Sequence, residues 1–164
     1  MSHNILLTGA SGYLGGTILA RWKDAALPQH GTLYALVRNE DQGTQVQKYG
    51  ATPLIVNVSE HNVVTKAIIE HEISIVYFLI DAYTATHQLP MIKALGEVRR
   101  RTGKEVHFLH TTGAKQFSRH AGVDTGSDLS DMDPGLYELQ REVRSGHESA
   151  DQVGINILHI SGGF

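Results

Sequence analysis

The sequence predicts an α/β protein: a doubly wound parallel sheet of about six strands, in three αβα layers. Two observations predict it. Short apolar runs alternate with longer amphipathic stretches along the whole chain, and the first of these runs passes directly into a glycine-rich turn. A length of 164 residues, with 41% apolar and 19% charged, suits one domain with one core.

The apolar runs are Asn4–Leu7, Thr32–Val37, Thr52–Val56, Ile73–Ile80, Val106–His110 and Ile155–Ile160. Each is short, rich in β-branched or other apolar residues, and bounded by turn formers, as in strands covered on both faces. Between them lie helical periodicities. Gly12 to Trp22 places Leu14, Ile18, Leu19 and Trp22 on one face, and Asn62 to Glu70 turns Val63, Ala67 and Ile68 inward. His87 to Arg101 carries Leu89, Ile92, Leu95 and Val98 and ends in Arg99-Arg100-Arg101, cations that suit a helix C-terminus better than a nucleic-acid patch. Tyr137 to Asp151 is a last helix after Pro134-Gly135. The stretch from Lys115 to Gly135 has no clear period and reads as a long loop. Strand–helix alternation of this kind winds by right-handed crossovers.

Composition excludes several functions. There is no cysteine, which removes disulfides, thiolate catalysis and Cys-ligated zinc. A net charge of −3 offers no general attraction to nucleic acid or anionic membrane. No run reaches membrane-spanning length, and Ile5-Leu6-Leu7 is too short for a signal-peptide core, so a cytosolic location is expected. Ten histidines are scattered; only His107 and His110 are close neighbours, and none makes an HExxH pair, so no metal site is expected.

The chemistry is concentrated in Thr8-Gly9-Ala10-Ser11-Gly12-Tyr13-Leu14-Gly15. Gly9 permits a tight turn out of the strand, Gly12 clears a side chain from the path of a pyrophosphate, and Gly15 lets the next helix pack closely. The free N–H groups and positive end of that helix then face an anion. A strand before and an amphipathic helix after give the motif its confirming context. The form TGxxGxxG, rather than GxGxxG, resembles the short-chain dehydrogenase/reductase superfamily, and more narrowly its extended and atypical branches, the NAD-dependent epimerase/dehydratase-like proteins. The resemblance covers essentially the whole chain and implies a nicotinamide cofactor.

Thr8, Gly9, Ser11, Gly12, Tyr13, Leu14 and Gly15 are therefore the expected pyrophosphate-side residues. At the end of the second strand, Val37 stands where an NAD-selective acid would be expected, 22 residues past Gly15, and Arg38 follows. An arginine holds a 2′-phosphate with charge-assisted bonds, so NADP is favoured over NAD, although Glu40 and Asp41 lie nearby. The family's acid after the third strand is replaced by Asn57-Val58, whose amide can still reach an adenine. The fourth strand ends Phe78-Leu79-Ile80-Asp81-Ala82, bulkier than the small-residue run the family has beside its cofactor, with Leu79 as the expected contact and Asp81 facing the loop.

The resemblance also implies a Ser or Thr after the fifth strand and a Tyr-x-x-x-Lys on the next helix. Thr112 matches the first. Tyr137 and Arg141 match the second with arginine in place of lysine, and the 25-residue interval from Thr112 to Tyr137 resembles that of extended members. A phenol with an ordinary pKa of about 10 needs a neighbouring cation to act near neutral pH. Arginine keeps the charge but not the compact ammonium; Lys115 is an alternative cation. Residues 1–164 are expected to be one NAD(P)-binding domain, ending at Ser161-Gly162-Gly163-Phe164 without the family's substrate domain. Three functions stay open, the first two being hydride transfer on a small carbonyl, alcohol or nucleotide sugar, and a non-catalytic NAD(P)-binding sensor or scaffold. A phosphate-binding protein without a dinucleotide is the third. A homodimer through helices 87–101 and 137–151 is expected by analogy.

Overall fold

The computed structural model describes residues 2–82, 84–113, 117–119, 123–124, 126, 129–130, 132–136 and 138–139. The elements run β1 (Asn4–Leu7), α1 (Tyr13–Arg21), β2 (Leu33–Val37), α2 (Glu40–Gln47), β3 (Thr52–Ile55), α3 (His61–Glu70), β4 (Ile73–Phe78), α4 (Gln88–Thr102) and β5 (His107–His110), with a 3₁₀ turn over Trp22–Asp24. Of the expected helix 137–151 only Glu138 and Leu139 are described, both helical, with Leu139 N donating to Gly135 O (3.0 Å); the rest of it and the expected strand 155–160 lie outside the described residues.

The five strands form one parallel sheet in the order β3-β2-β1-β4-β5. The strand order is what positions the site. From β1 the chain winds outward through β2 to β3, then returns across the sheet to β4 on β1's other side. This reversal leaves a crevice above the carboxyl ends of β1 and β4, where open α/β sheets take their ligands.

Strand alternation divides the core in two. Ile5, Leu7, Ala35 and Val37 face Leu19 and Trp22 of the α1 side and Val46 of α2. Leu6, Leu36, Val76, Phe78 and Phe108 face Val64 and Ile68 of α3 and Met91, Leu95 and Val98 of α4. The central strands β1, β2 and β4 are buried as their unbroken apolar runs require. The edge strands are not covered on both faces: β3 is exposed at Thr52 and Ile55, and β5 at His107 and Leu109.

Four expectations are corrected. α2 has only a weak apolar stripe, yet it forms. The Asn39 side chain caps it by accepting from Gln42 N (3.0 Å), Glu40 and Asp41 occupy the first turn, and Val46 alone anchors it as a large apolar residue. On α3, Val64 rather than Val63 is buried: the helix packs its 64/68 stripe on the core and leaves Val63 exposed. Leu14 and Leu89 are exposed, each in the first turn of its helix. Finally, α1 gives way to the 3₁₀ turn at Trp22, whose indole N–H donates to His30 Nε2 (2.9 Å). α4 ends on Gly103 in the left-handed region (φ 68°), its N–H bonded to the Arg99 carbonyl.

Candidate functional site

The turn after β1 is built by its glycines. Gly9 has φ +64°, a conformation L side chains rarely adopt, and it reverses the chain tightly enough for Gly12 N to donate to Gly9 O (2.9 Å). Gly12 is the N-cap of α1, in extended conformation, and no side chain caps the helix there. The first turn of α1 also carries no acid. Both features keep the positive end of the helix open to an anion. At Gly15 a Cβ would lie 2.8 Å from the Gly9 carbonyl carbon and 2.9 Å from Ala10 Cα, closer still to the Gly9 oxygen. Its close packing is thus against the turn itself, which lets the helix start directly above the strand.

Thr8 is fully buried, and its hydroxyl accepts from Leu79 N (3.1 Å), while Thr8 N donates to Tyr77 O (2.9 Å). It bolts the exit of β1 to the exit of β4 and holds the two lips of the crevice together. The backbone behind Gly9 is equally close, since a Cβ there would meet the Leu79 oxygen at 3.2 Å. Ser11, Tyr13 and Leu14 are exposed above the turn, Tyr13 at 93%.

The other expected cofactor residues fall on the same sheet edge because each follows the carboxyl end of a parallel strand. Arg38 follows β2 and is exposed; no carboxylate pairs with its guanidinium among the described residues. Glu40 and Asp41, which flank it, are committed to the first turn of α2. Asn57 and Val58 follow β3. The Asn57 side-chain oxygen accepts from Ser59 N (3.0 Å), which leaves its N–H₂ as the group available to a ligand. Val58 packs against the α3/α4 core cluster. Thr112, half-buried, follows β5, and the preceding Thr111 N donates to Phe78 O (3.1 Å). Tyr137, Arg141 and Lys115 lie outside the described residues.

Two glutamines escaped sequence reasoning. Gln88, fully buried at the start of α4, donates from Nε2 to the carbonyls of Asp81 (3.0 Å) and Thr84 (2.6 Å). It shapes the loop leaving β4, and its Oε1 has no hydrogen-bond partner among the described residues. Asp81 turns into that loop as expected, accepting from the Thr84 hydroxyl (2.5 Å). Gln42 accepts from Arg38 N (2.9 Å). A glutamine facing its own chain leaves no periodic trace, so no signal in the sequence marks either residue. His61 Nε2 and His87 Nδ1 meet at 3.0 Å between the starts of α3 and α4. Among the described residues no group of three His, Asp or Glu has metal-site geometry, and no helix is long and apolar enough to cross a membrane.

Solved structures share this architecture. The chain is similar to an isoflavone reductase at 22% identity and a TM-score of 0.51, over 88% of this chain and 45% of that one. It is similar to a short-chain dehydrogenase from Streptomyces avermitilis at 15% identity and a TM-score of 0.50, over 66% and 48%. A leucoanthocyanidin reductase from Vitis vinifera, solved in a binary complex with NADPH, aligns at 24% identity and a TM-score of 0.42, over 92% and 44%. The fold is of the Rossmann type. One neighbour is itself a short-chain dehydrogenase, the group that the TGxxGxxG turn resembles. The chain spans less than half the length of each of these proteins. No family profile and no curated protein matches it.

Proposed function

We propose that the chain is the NADP-binding domain of an extended or atypical short-chain dehydrogenase/reductase protein, which transfers hydride between the nicotinamide and a small carbonyl, alcohol or nucleotide-sugar substrate. The observation that carries the reading is the uncapped, acid-free start of α1, set by left-handed Gly9 and side-chain-free Gly15 at the topological switch point. A pyrophosphate is the anion such a turn accommodates, with N–H groups already oriented and no side chain in the way.

Each residue then has a role. Gly12 and Ser11 border the pyrophosphate, and Thr8 positions the turn without touching the ligand. Arg38 holds the 2′-phosphate, the Asn57 N–H₂ donates to the adenine, and Leu79 backs the crevice. When bound, NADPH supplies the hydride. Thr112 orients the substrate oxygen, the Tyr137 phenol moves the proton, and the Arg141 cation favours the phenolate. Helices 87–101 and 137–151 form the surface for a homodimer, and the compartment is the cytosol.

Titrating the chain with NADPH and following energy transfer from Trp22, its single tryptophan, tests the reading. Saturable binding supports it; no binding of either dinucleotide removes it. A second reading, a non-catalytic NADP-binding module, is favoured by Arg141 at the lysine position of the resembled pattern. Tyr137→Phe decides between them once a substrate screen finds turnover. Loss of turnover with unchanged NADPH affinity supports the enzyme, and binding without turnover on any carbonyl, alcohol or nucleotide sugar supports the module.

A further inference from the structure

We propose that Gln42 is a specificity-determining residue of this site, its side-chain N–H donating to the cofactor's 2′-phosphate beside Arg38. The inference rests on the NADP reading above and extends it to a residue outside the glycine turn and the arginine.

Arg38, Asn39 and Gln42, all within five residues of the end of β2, are tied into one unit. Gln42 N donates to the Asn39 side-chain oxygen (3.0 Å), and the Gln42 side-chain oxygen accepts from Arg38 N (2.9 Å). The two bonds form a reciprocal capping arrangement at the start of α2, shifted by one residue from the usual box. This lock orients the glutamine amide. Its one acceptor oxygen is used by the Arg38 backbone, so the end left over is the N–H₂. Gln42 lines a cavity of about 610 Å³ between α1 and α2, whose other wall includes Ala10 and Ser11 of the phosphate turn and Tyr13 and Thr17 of α1. None of Arg38, Glu40 and Asp41 lines it. An unengaged donor and the turn that takes the pyrophosphate therefore border one opening, and the same amide holds the backbone of the arginine that follows β2.

The chemistry that fits is a phosphate monoester on the ribose. The guanidinium supplies charge, and the amide supplies a directional donor that gains more from a charged oxygen than from a neutral 2′-hydroxyl. The arginine favours the phosphate by charge, and the directional amide adds to that preference.

The test is calorimetric titration of NADPH and NADH into the wild-type chain, Gln42→Ala and Gln42→Glu. Glutamate keeps an oxygen for Arg38 N but replaces the donor with a carboxylate. The expected result is a loss of about tenfold in NADPH affinity for the alanine variant and a larger loss for the glutamate variant, with NADH affinity unchanged. A merely structural role would be rescued by glutamate, or would weaken both cofactors equally, and either outcome overturns the proposal. A wild type that prefers NADPH while neither variant narrows the preference overturns Gln42 alone. A wild type with no preference for NADPH overturns the NADP reading and this inference with it.

Discussion

Replacing Gly15 by alanine adds a single methyl group where the structure has no room for one. The new Cβ would stand 2.8 Å from the Gly9 carbonyl carbon and 2.9 Å from Ala10 Cα, both backbone atoms of the phosphate turn. Carbon atoms pack at about 3.5 Å or more, so the first turn of α1 must withdraw by roughly 0.7 Å. Backbone cannot swing aside as a side chain can, which puts the cost toward the upper part of the roughly 1–3 kcal/mol typical of overpacking. For a chain of this size that corresponds to a fall of about 5–10 °C in Tm. The same withdrawal moves the N–H groups that face the pyrophosphate, so NADPH affinity falls by about tenfold or more. Two neighbouring glycines serve as controls. At Gly12 a Cβ meets only the Gly9 oxygen, at 3.2 Å, and φ is −85°, so alanine there leaves Tm nearly unchanged while blocking the ligand. At Gly16 the nearest atom is Ala10 O at 3.7 Å, an ordinary contact, and alanine inside the helix stabilises by roughly 0.5–1 kcal/mol. Thermal melts followed by circular dichroism, with NADPH titrations on the same samples, measure all three. A Gly15→Ala protein with wild-type Tm and wild-type affinity would refute the close-approach argument.

Further outcomes follow from individual contacts. Thr8→Val preserves shape but orphans Leu79 N, so stability drops by about 1–3 kcal/mol in urea denaturation; Thr8→Ser, which keeps the acceptor, loses less, and equal losses would dissociate the hydroxyl from the effect. Gln88→Leu releases the carbonyls of Asp81 and Thr84, and faster amide exchange across the 79–87 loop is the readout; unaltered exchange there would discard the loop-shaping role. Ala26 sits at φ +46°, so Ala26→Gly relieves strain and stabilises by about 0.5–1 kcal/mol net of the added chain entropy; a lower Tm would contradict this. Hydrogen bonds from Arg100 and then Arg101 hold the Glu97 carboxyl at about 2, below its usual 4.5. A depressed carboxylate contributes fully above its unfolded pKa and loses that contribution as pH falls through the folded value, here between about 4.5 and 2. An NMR titration should show the Glu97 midpoint rise in Arg100→Ala, and a midpoint that stays put would assign the shift elsewhere.

Much of this molecule is written in local pattern. Buried central strands need unbroken apolar runs, so β1, β2 and β4 were legible, and β1 at its observed bounds Asn4–Leu7. The glycine turn was legible because a left-handed residue, an uncapped helix start and a sterically closed position each demand glycine at fixed spacing. Legibility failed where local signals are weak or where partners are distant. α2 has a single large apolar anchor and was invisible to periodicity, although Asn39 at its cap and Glu40-Asp41 in its first turn are the marks of a helix start. On α3 the buried valine is Val64 and not Val63, because only the sheet beneath decides which of two adjacent valines is inside.

The sequence by itself determined the fold class and the position of the glycine turn, since both are written in local pattern along the chain. Tertiary structure alone decided the strand order that opens the crevice between β1 and β4. It converted Thr8 from a member of the motif into the bolt across that crevice, through a bond to Leu79, 71 residues away. It also tied Gln42 to the Arg38 backbone and Gln88 to the loop after β4. Their amides act through a specific backbone partner, and a hydrogen bond to one carbonyl or one N–H is fixed by three-dimensional geometry, which no spacing along the chain encodes.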